Sequence, residues 1–214
     1  MSLDYVTTIL QGVPMTLLLT FAGLGLGIVG GIPLAVLRQS RIWPVRTLAR
    51  LVIDLLRGIP IIVWLFIVIF GLGAYIQYDD VTLPVVLGLG LISSAYLAEI
   101  YRGGLAAIHA GQFEASTALG MTRLDTMARI VGPQIARISI PAAATYGIGL
   151  LKDSSIAFTV GVQEVMYWTN DVARTRSDAI GPYVAAGLLY IVLSVLCAWG
   201  ARSLGGVLRR RVAR

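Results

Sequence analysis

The sequence has few of the residues on which soluble enzymes and disulfide-rich proteins depend. Only 13% of its 214 residues are charged, about half of the share that is typical of a soluble domain. It contains one cysteine, Cys197, and one histidine, His109, which excludes a disulfide framework and a metal site built from His and Cys. The shortage of charge excludes an ordinary cytosolic enzyme, and the high apolar content excludes a disordered chain.

Long apolar runs take the place of the missing charge. Hydrophobic residues make up 57% of the chain and the mean hydropathy is +0.82, which indicates a protein that crosses a membrane several times. We predict one all-α domain over residues 1–214, a polytopic membrane bundle of about five transmembrane helices. The predicted spans are about 15–37, 59–76, 83–100, 138–151 and 183–201, with a polar loop at 101–137.

The positions of the basic residues predict the orientation of this bundle. Fourteen of the 17 basic residues fall at 38–57, 102–137 and 202–214, after the first, third and fifth predicted spans. Since such residues stay on the cytoplasmic side of a membrane, we predict an N-terminus outside and a cytoplasmic C-terminus. The positive charge therefore marks topology, and nucleic acid is not an expected partner.

Glycines at helical spacing mark the first predicted span. Gly23, Gly27 and Gly31 form two overlapping GxxxG pairs, which let two helices approach closely. Packing within the chain and contact with a second copy fit this pattern equally well.

The fourth predicted span reads as a broken helix. Proline and glycines interrupt it, and the polar run 152–155 separates it from a further apolar run that ends at Val162. Charged groups at membrane depth survive only inside protein or beside a water-filled path, so we place a solute route here. The residues that we expect along this route are Tyr96, Tyr146, Lys152, Asp153, Ser154 and Ser155. An internal Lys152–Asp153 salt bridge that steadies the broken helix explains the two charges at least as well.

The strongest local pattern lies at 114–133, which reads EASTALGMTRLDTMARIVGP. Small residues lead to Gly120, a helix stop or tight turn, and Thr122 or Asp125 is placed to cap a second helix. The pattern predicts two short helices that meet at a glycine corner and form a knob on the cytoplasmic face. A cytoplasmic partner would receive such a knob, although a plain surface hairpin has the same pattern.

Single residues around this loop carry further expectations. We expect Glu114 to begin the first helix, where a carboxylate interacts favourably with the helix dipole. Glu99 and Arg102 stand three residues apart on one helical face and are predicted to form a structural ion pair. His109 is expected to be a solvated residue of the loop rather than a catalytic base.

The loop resembles a motif of the permease subunits of binding-protein-dependent ABC importers. In that family Glu-Ala-Ala, three residues, Gly, nine residues, Ile, one residue and Leu-Pro follow one another. The matching residues of this chain are Glu114, Ala115, Gly120, Ile130 and Pro133, while Ser116 and Gly132 stand where the family has Ala and Leu.

Other segments are similar to the polar-amino-acid branch of the same family. They are the runs at 57–60 (RGIP), 98–104 (AEIYRGG) and 152–155 (KDSS), together with Gly111-Gln112 just before the loop motif. The resemblance covers about residues 12–210, which is nearly the whole chain.

The resemblance implies an importer of the bacterial inner or cell membrane for a polar amino acid. Two permeases, either two copies or this chain and a paralogue, would stand on a dimer of cytoplasmic ABC ATPases. An extracytoplasmic solute-binding protein would deliver the substrate. The residues implied in coupling to the ATPase are Glu114, Ala115, Ser116, Gly120, Ile130 and Pro133.

The sequence contains no motif for binding and hydrolysing ATP. A P-loop requires a lysine that reaches the nucleotide phosphates, but the only lysine, Lys152, lies outside any glycine-rich loop. ATP and Mg²⁺ are therefore expected on a partner chain, and we expect no catalytic residue, metal site or cofactor here. An ion-coupled secondary transporter or a small channel is the alternative, although such transporters tend to have internal repeats and more spans.

Overall fold

The structure, a computed structural model, describes residues 4–71, 80–175 and 180–210, with side chains up to residue 203. Every regular element of this part of the chain is helical. The α-helices are α1 Asp4–Leu10, α2 Val13–Arg38, α3 Trp43–Gly58, α4 Ile61–Phe66, α5 Thr82–Ala106, α6 Ala110–Ala118, α7 Arg123–Asp125, α8 Gly132–Asp153, α9 Val165–Thr175 and α10 Ile180–Arg210. Wider π-helical turns follow α4 at Ile67–Gly71 and α7 at Thr126–Val131, and a 3₁₀ helix follows α8 at Ser154–Val160.

Long apolar helices occupy most of the predicted spans. Three helical segments of the described residues are long and apolar enough to cross a membrane, namely Tyr5–Arg38, Thr82–Ala106 and Ile180–Ser203. Helices α3 and α4 with its π turn add a fourth if this bent pair forms one span. The end of the second predicted span, residues 72–76, lies outside the described residues, and the number of five spans stays a prediction.

The fourth predicted span belongs to a longer helix than its apolar run indicated. Helix α8 has 22 residues, about 33 Å at 1.5 Å per residue, because it begins at Gly132, six residues before the apolar run. The α-helical backbone gives way to the 3₁₀ helix at Ser154, at the polar run where the sequence predicted a break. Gly161 ends the 3₁₀ helix with a φ of 93°, a left-handed conformation that favours glycine.

Helices α2 and α5 form the most extensive contact in the fold, and the glycines of α2 face this contact. A Cβ atom added to Gly27 would lie 2.4 Å from Cβ of Ser93, and one added to Gly31 would lie 3.0 Å from Cβ of Leu97. The GxxxG pattern therefore packs against α5 of the same chain. Of the two alternatives left by the sequence, contact within the chain is the one that these glycines make.

A buried carboxylate ties helix α9 to α2 and α10. Glu164 is 0% exposed, and its carboxylate accepts hydrogen bonds from the Tyr190 hydroxyl at 2.6 Å and from the backbone N–H of Tyr167 at 2.9 Å. Thr16 of α2 donates a longer one at 3.5 Å. Burial raises the pKa of Glu164 above its usual range, although these hydrogen bonds to the carboxylate act in the opposite direction.

The close approach of α2 and α5 generates the first prediction. Gly27→Ala should destabilise the fold by about 1–3 kcal/mol, because the added methyl group meets Ser93 in a filled interface. Gly25→Ala is the matched control, since its added Cβ has nothing within 4 Å and alanine favours a helix. Thermal unfolding in detergent measures both, and equal midpoints for the two variants would contradict this account of the interface.

The burial of Glu164 generates a second prediction, on pH dependence. With a raised pKa the folded state holds the proton more strongly than the unfolded state, so stability should fall as the pH rises above the ordinary pKa of a glutamate side chain. Glu164→Gln should flatten this part of the profile, because the amide does not titrate. Unfolding midpoints across this range test it, with exposed Asp171→Asn on α9 as control. A profile unchanged in Glu164→Gln would show that another group titrates.

Candidate functional site

The first part of the candidate site is the loop at 114–133, and its first helix begins earlier than predicted. Helix α6 starts at Ala110, and His109 caps it by accepting a hydrogen bond at Nδ1 from the N–H of Gly111. Glu114 consequently lies in the middle of α6, and no acidic residue stands in its first turn. The expectation that Glu114 begins the helix was wrong, because His109 supplies the cap and places the start four residues earlier.

Gly120 makes the corner that the sequence predicted. Its φ of 69° is left-handed, and the N–H groups of Gly120 and Met121 donate to the carbonyls of Thr117 and Ser116, both at 3.0 Å. This is a glycine C-cap of the Schellman type. Ser116 is 1% exposed, and its hydroxyl donates to backbone carbonyls of its own helix. The buried hydroxyl therefore has hydrogen-bond partners at a position where the family has alanine.

The sequence predicted a short second helix for the loop, and this prediction was wrong. Thr122 caps it, accepting at Oγ1 from the N–H of Asp125 at 3.1 Å, while its hydroxyl donates to the Asp125 carboxylate at 2.6 Å. The helical backbone then continues through α7 and the π turn into α8. At Gly132 an added Cβ would lie 2.6 Å from the Met127 carbonyl oxygen. The departure from the family motif at Gly132 therefore coincides with this π turn.

Apolar side chains cover the outside of the knob. Leu119 is 77% exposed and Leu124 is 83% exposed, on either side of the Gly120 corner. Phe113 and Met127 are also exposed, and Phe113 lines a shallow depression with Glu114, Thr117 and Ala118. Such apolar side chains, held on a capped and rigid corner, are suited to insertion into a groove of another protein.

The second part of the candidate site is a pair of tyrosines between α5 and α8. The rings of Tyr96 and Tyr146 stack with centroids 5.0 Å apart. The Tyr146 hydroxyl shares a hydrogen bond of 2.9 Å with the hydroxyl of Ser93, and the guanidinium of Arg57 lies 5.1 Å from the centre of the Tyr96 ring. The structure thus brings together two of the residues predicted along the solute route. It adds Ser93 and Arg57, which the sequence had not indicated as neighbours of these tyrosines.

One carboxylate next to this pair binds three arginines. Glu99 forms ion pairs with Arg38 of α2, with Arg102 at 2.9 Å and with Arg57 at 3.9 Å. The predicted pair of Glu99 and Arg102 is confirmed. The other two partners come from α2 and α3, so Glu99 joins three helices at one end of the bundle.

The polar run at 152–155 lies at the end of α8, about two helical turns after Tyr146. Lys152 is exposed and Asp153 is half-buried, whereas Ser154 is 0% exposed and its hydroxyl donates to the Leu151 carbonyl at 2.8 Å. No ion pair between Lys152 and Asp153 is present among the described residues within 4.0 Å. The role of these residues along a solute route stays a prediction.

Comparison with protein families and with known proteins gives one consistent result. The family described as "Binding-protein-dependent transport system inner membrane component" matches residues 23–210. The chain is 35% identical over 192 residues to "Probable amino-acid permease protein YxeN" of Bacillus subtilis, covering 88% of this chain and 86% of that protein. It is 33% identical over 205 residues to "Octopine transport system permease protein OccM" of Rhizobium radiobacter, covering 89% and 81%.

Solved structures have the same fold. A crystal structure of an amino acid ABC transporter with histidines matches with a TM-score of 0.85 and 29% identity, covering 98% of this chain and 96% of that one. An inward-facing structure of the MetNI methionine ABC transporter matches with a TM-score of 0.79 at 20% identity, covering 97% and 99%. The second likeness, at this identity, concerns the fold alone.

Proposed function

The chain belongs to the family of inner membrane components of binding-protein-dependent transport systems, and on that premise we propose that it carries a polar amino acid into the cytoplasm. It is the membrane-spanning permease subunit of an ABC importer, and a separate subunit hydrolyses ATP. The observation that carries the proposed substrate class is the match, over most of both chains, to a named amino-acid permease. Family membership decides against the secondary transporter and the channel.

The knob is the proposed contact with the ATPase. Leu119 and Leu124 would insert into a groove of an ATPase subunit, with Glu114 near a positive group at its rim. ATP and Mg²⁺ would be bound by that subunit and not by this chain. Ile130 and Pro133 lie where the second helix of the knob passes into α8, so a force on the knob reaches the span without an intervening flexible loop.

The helices on either side of the knob, α5 and α8, explain how such a force would reach the solute. Helix α5 precedes α6 and carries Tyr96, while α8 follows the knob and carries Tyr146. A displacement of the knob would therefore shift the two stacked rings relative to each other. Binding of ATP by the ATPases supplies the bias, because it favours one of the two arrangements of the spans.

The charges around the tyrosine pair suit a zwitterionic solute. Arg57 offers a positive group to a carboxylate, and the hydroxyl groups of Tyr146 and Ser93 offer neutral hydrogen bonds. Lys152 and Asp153 would provide a second cation and anion further along the route. A second permease, identical or a paralogue, would close the other side of this path.

The opposite end of the bundle is the proposed docking face for the solute-binding protein. With the orientation that the basic residues predict, α9 lies at the outer end of the bundle. A pocket on this face is lined by polar and charged side chains that include Tyr167, Asn170, Asp171 and Arg174. Residues 163–182 are the proposed contact region, of which 176–179 lie outside the described residues.

The corner of the knob generates a prediction on coupling. Gly120→Val places a β-branched residue at a φ of 69°, which should distort the corner and lower uptake more than tenfold, with the bundle still folded. Substrate-stimulated ATP hydrolysis in vesicles should fall with it. Gly187→Val on α10 is the control, since the added Cβ has open space and an ordinary φ. Normal uptake by Gly120→Val would overturn the proposed coupling role.

The tyrosine pair generates a prediction on the solute path. Tyr146→Phe keeps the stacked ring but removes the hydroxyl that pairs with Ser93, so we expect the rate of uptake to fall several-fold. Tyr96→Leu removes both the stack and the contact with Arg57 and should have a larger effect. Initial uptake rates in vesicles measure both, with exposed Tyr183→Phe on α10 as control. Rates equal to those of the control would place the solute route elsewhere.

A further inference from the structure

Helix α3 does not run along the same axis as the span that follows it. The chain bends by 105° between Trp43–Gly58 and Ile61–Gly71, where Ile59 is extended and Pro60 precedes α4. Two segments at nearly a right angle cannot both run along the membrane normal. If α4 crosses the membrane, α3 lies close to the membrane plane, beside the end of α2.

One side of α3 packs on its own chain. Ala49, Ile53 and Leu56 are 5%, 0% and 4% exposed. Ile53 and Leu56 pack in a cluster that includes Ala35 of α2 and Ala98 of α5. This contact fixes how the helix is rotated about its axis. The residues on its other sides therefore face away from the rest of the chain.

A second side of α3 is apolar and bare. Leu48, Leu51 and Leu55 are 64%, 55% and 58% exposed, and their spacing of three and four residues places them along one stripe. Trp43 at the start of the helix is exposed as well. A stripe of this kind in water would be costly, since it exposes large apolar side chains that nothing in the described chain covers.

The third side of α3 is positive. Arg46 and Arg50 are exposed, one turn apart, and neither forms an ion pair within the part of the chain that the structure describes. Arg41 stands just before the helix, while the only acidic residue of α3 is Asp54. An apolar stripe beside a row of arginines, on a helix in the membrane plane, is typical of a segment that lies at the lipid interface.

We propose that α3 is an interfacial helix that binds acidic phospholipid headgroups of the cytoplasmic leaflet through Arg46 and Arg50. The leucine stripe enters the acyl region, and the two guanidinium groups stay at headgroup depth, where each pairs with lipid phosphate. Lipid is the occupant that meets both sides at once, because acyl chains cover the leucines and phosphate groups pair with the arginines, which a leucine-to-leucine contact with a second copy would leave unpaired. The assignment to the cytoplasmic leaflet rests on the proposed orientation of the bundle, whereas the contact with lipid does not.

Lipid contact at α3 can be measured directly in the assembled transporter. In a Cys197→Ser background, Leu51→Cys is labelled with a fluorophore and the transporter is reconstituted into mixed phosphatidylcholine and phosphatidylglycerol vesicles. Quenching is compared between vesicles in which only the first lipid is brominated and vesicles in which only the second is. We expect phosphatidylglycerol to be enriched at this site about fivefold for each arginine.

Two comparisons separate charge from simple exposure. Arg46→Gln/Arg50→Gln should abolish the preference for phosphatidylglycerol while the label remains quenched by both lipids, and Arg137→Gln on α8 should leave the preference unchanged. A label at Leu188→Cys, which replaces an exposed leucine of α10, should be quenched by both lipids without preference. A label at Leu55→Cys repeats the test if Leu51→Cys fails to assemble.

Two results would overturn the proposal. Equal quenching by the two lipids in the unsubstituted background would remove acidic lipid as the ligand of the arginines. Absence of quenching by either lipid would show that protein covers the stripe, either a second permease or the ATPase. Because the readout is lipid contact and not uptake, either failure leaves the proposed coupling through the knob untouched.

Discussion

The close contact between α2 and α5 is the constraint on which the other parts of the bundle depend. Hydrocarbon lipid offers no hydrophobic force to press two helices together, so they associate by packing of small residues. Glycines of α2 meet Ser93 and Leu97 of α5 at distances that would exclude a side chain. This contact holds Arg38 at the end of α2 next to Glu99 of α5, and Glu99 in turn holds Arg57 of α3.

The same contact links the two parts of the candidate site. Helix α5 is fixed along α2 on one side and carries Tyr96 on another, while α8 brings Tyr146 against it. Both helices lead to the knob, α5 through α6 and α8 through the π turn. In the proposed coupling, capped helices would transmit a displacement from the knob to the spans that a flexible loop would absorb.

The predictions from sequence were most successful where one residue type is required by local backbone geometry. Gly120 was recognised as a corner because helices end at glycines with left-handed φ, and the structure gives it a φ of 69°. The Glu99–Arg102 pair followed from a spacing of three along one helix. The start of α6 was missed because His109 is an unusual capping residue, and the length of the second helix was missed because polar residues outside the membrane do not end a helix.

Sequence alone determined what depends on composition and on neighbours along the chain: membrane insertion, the glycine corner at Gly120 and the ion pair of Glu99 with Arg102. Only the tertiary structure decided which residues distant in sequence meet. It set Arg57 over Tyr96, buried Glu164 between Tyr190 and Thr16, and turned the GxxxG glycines toward α5 of the same chain. The physical reason is that hydropathy and helical period fix which side of a helix is apolar, whereas the partner of that side is chosen by packing across the whole bundle.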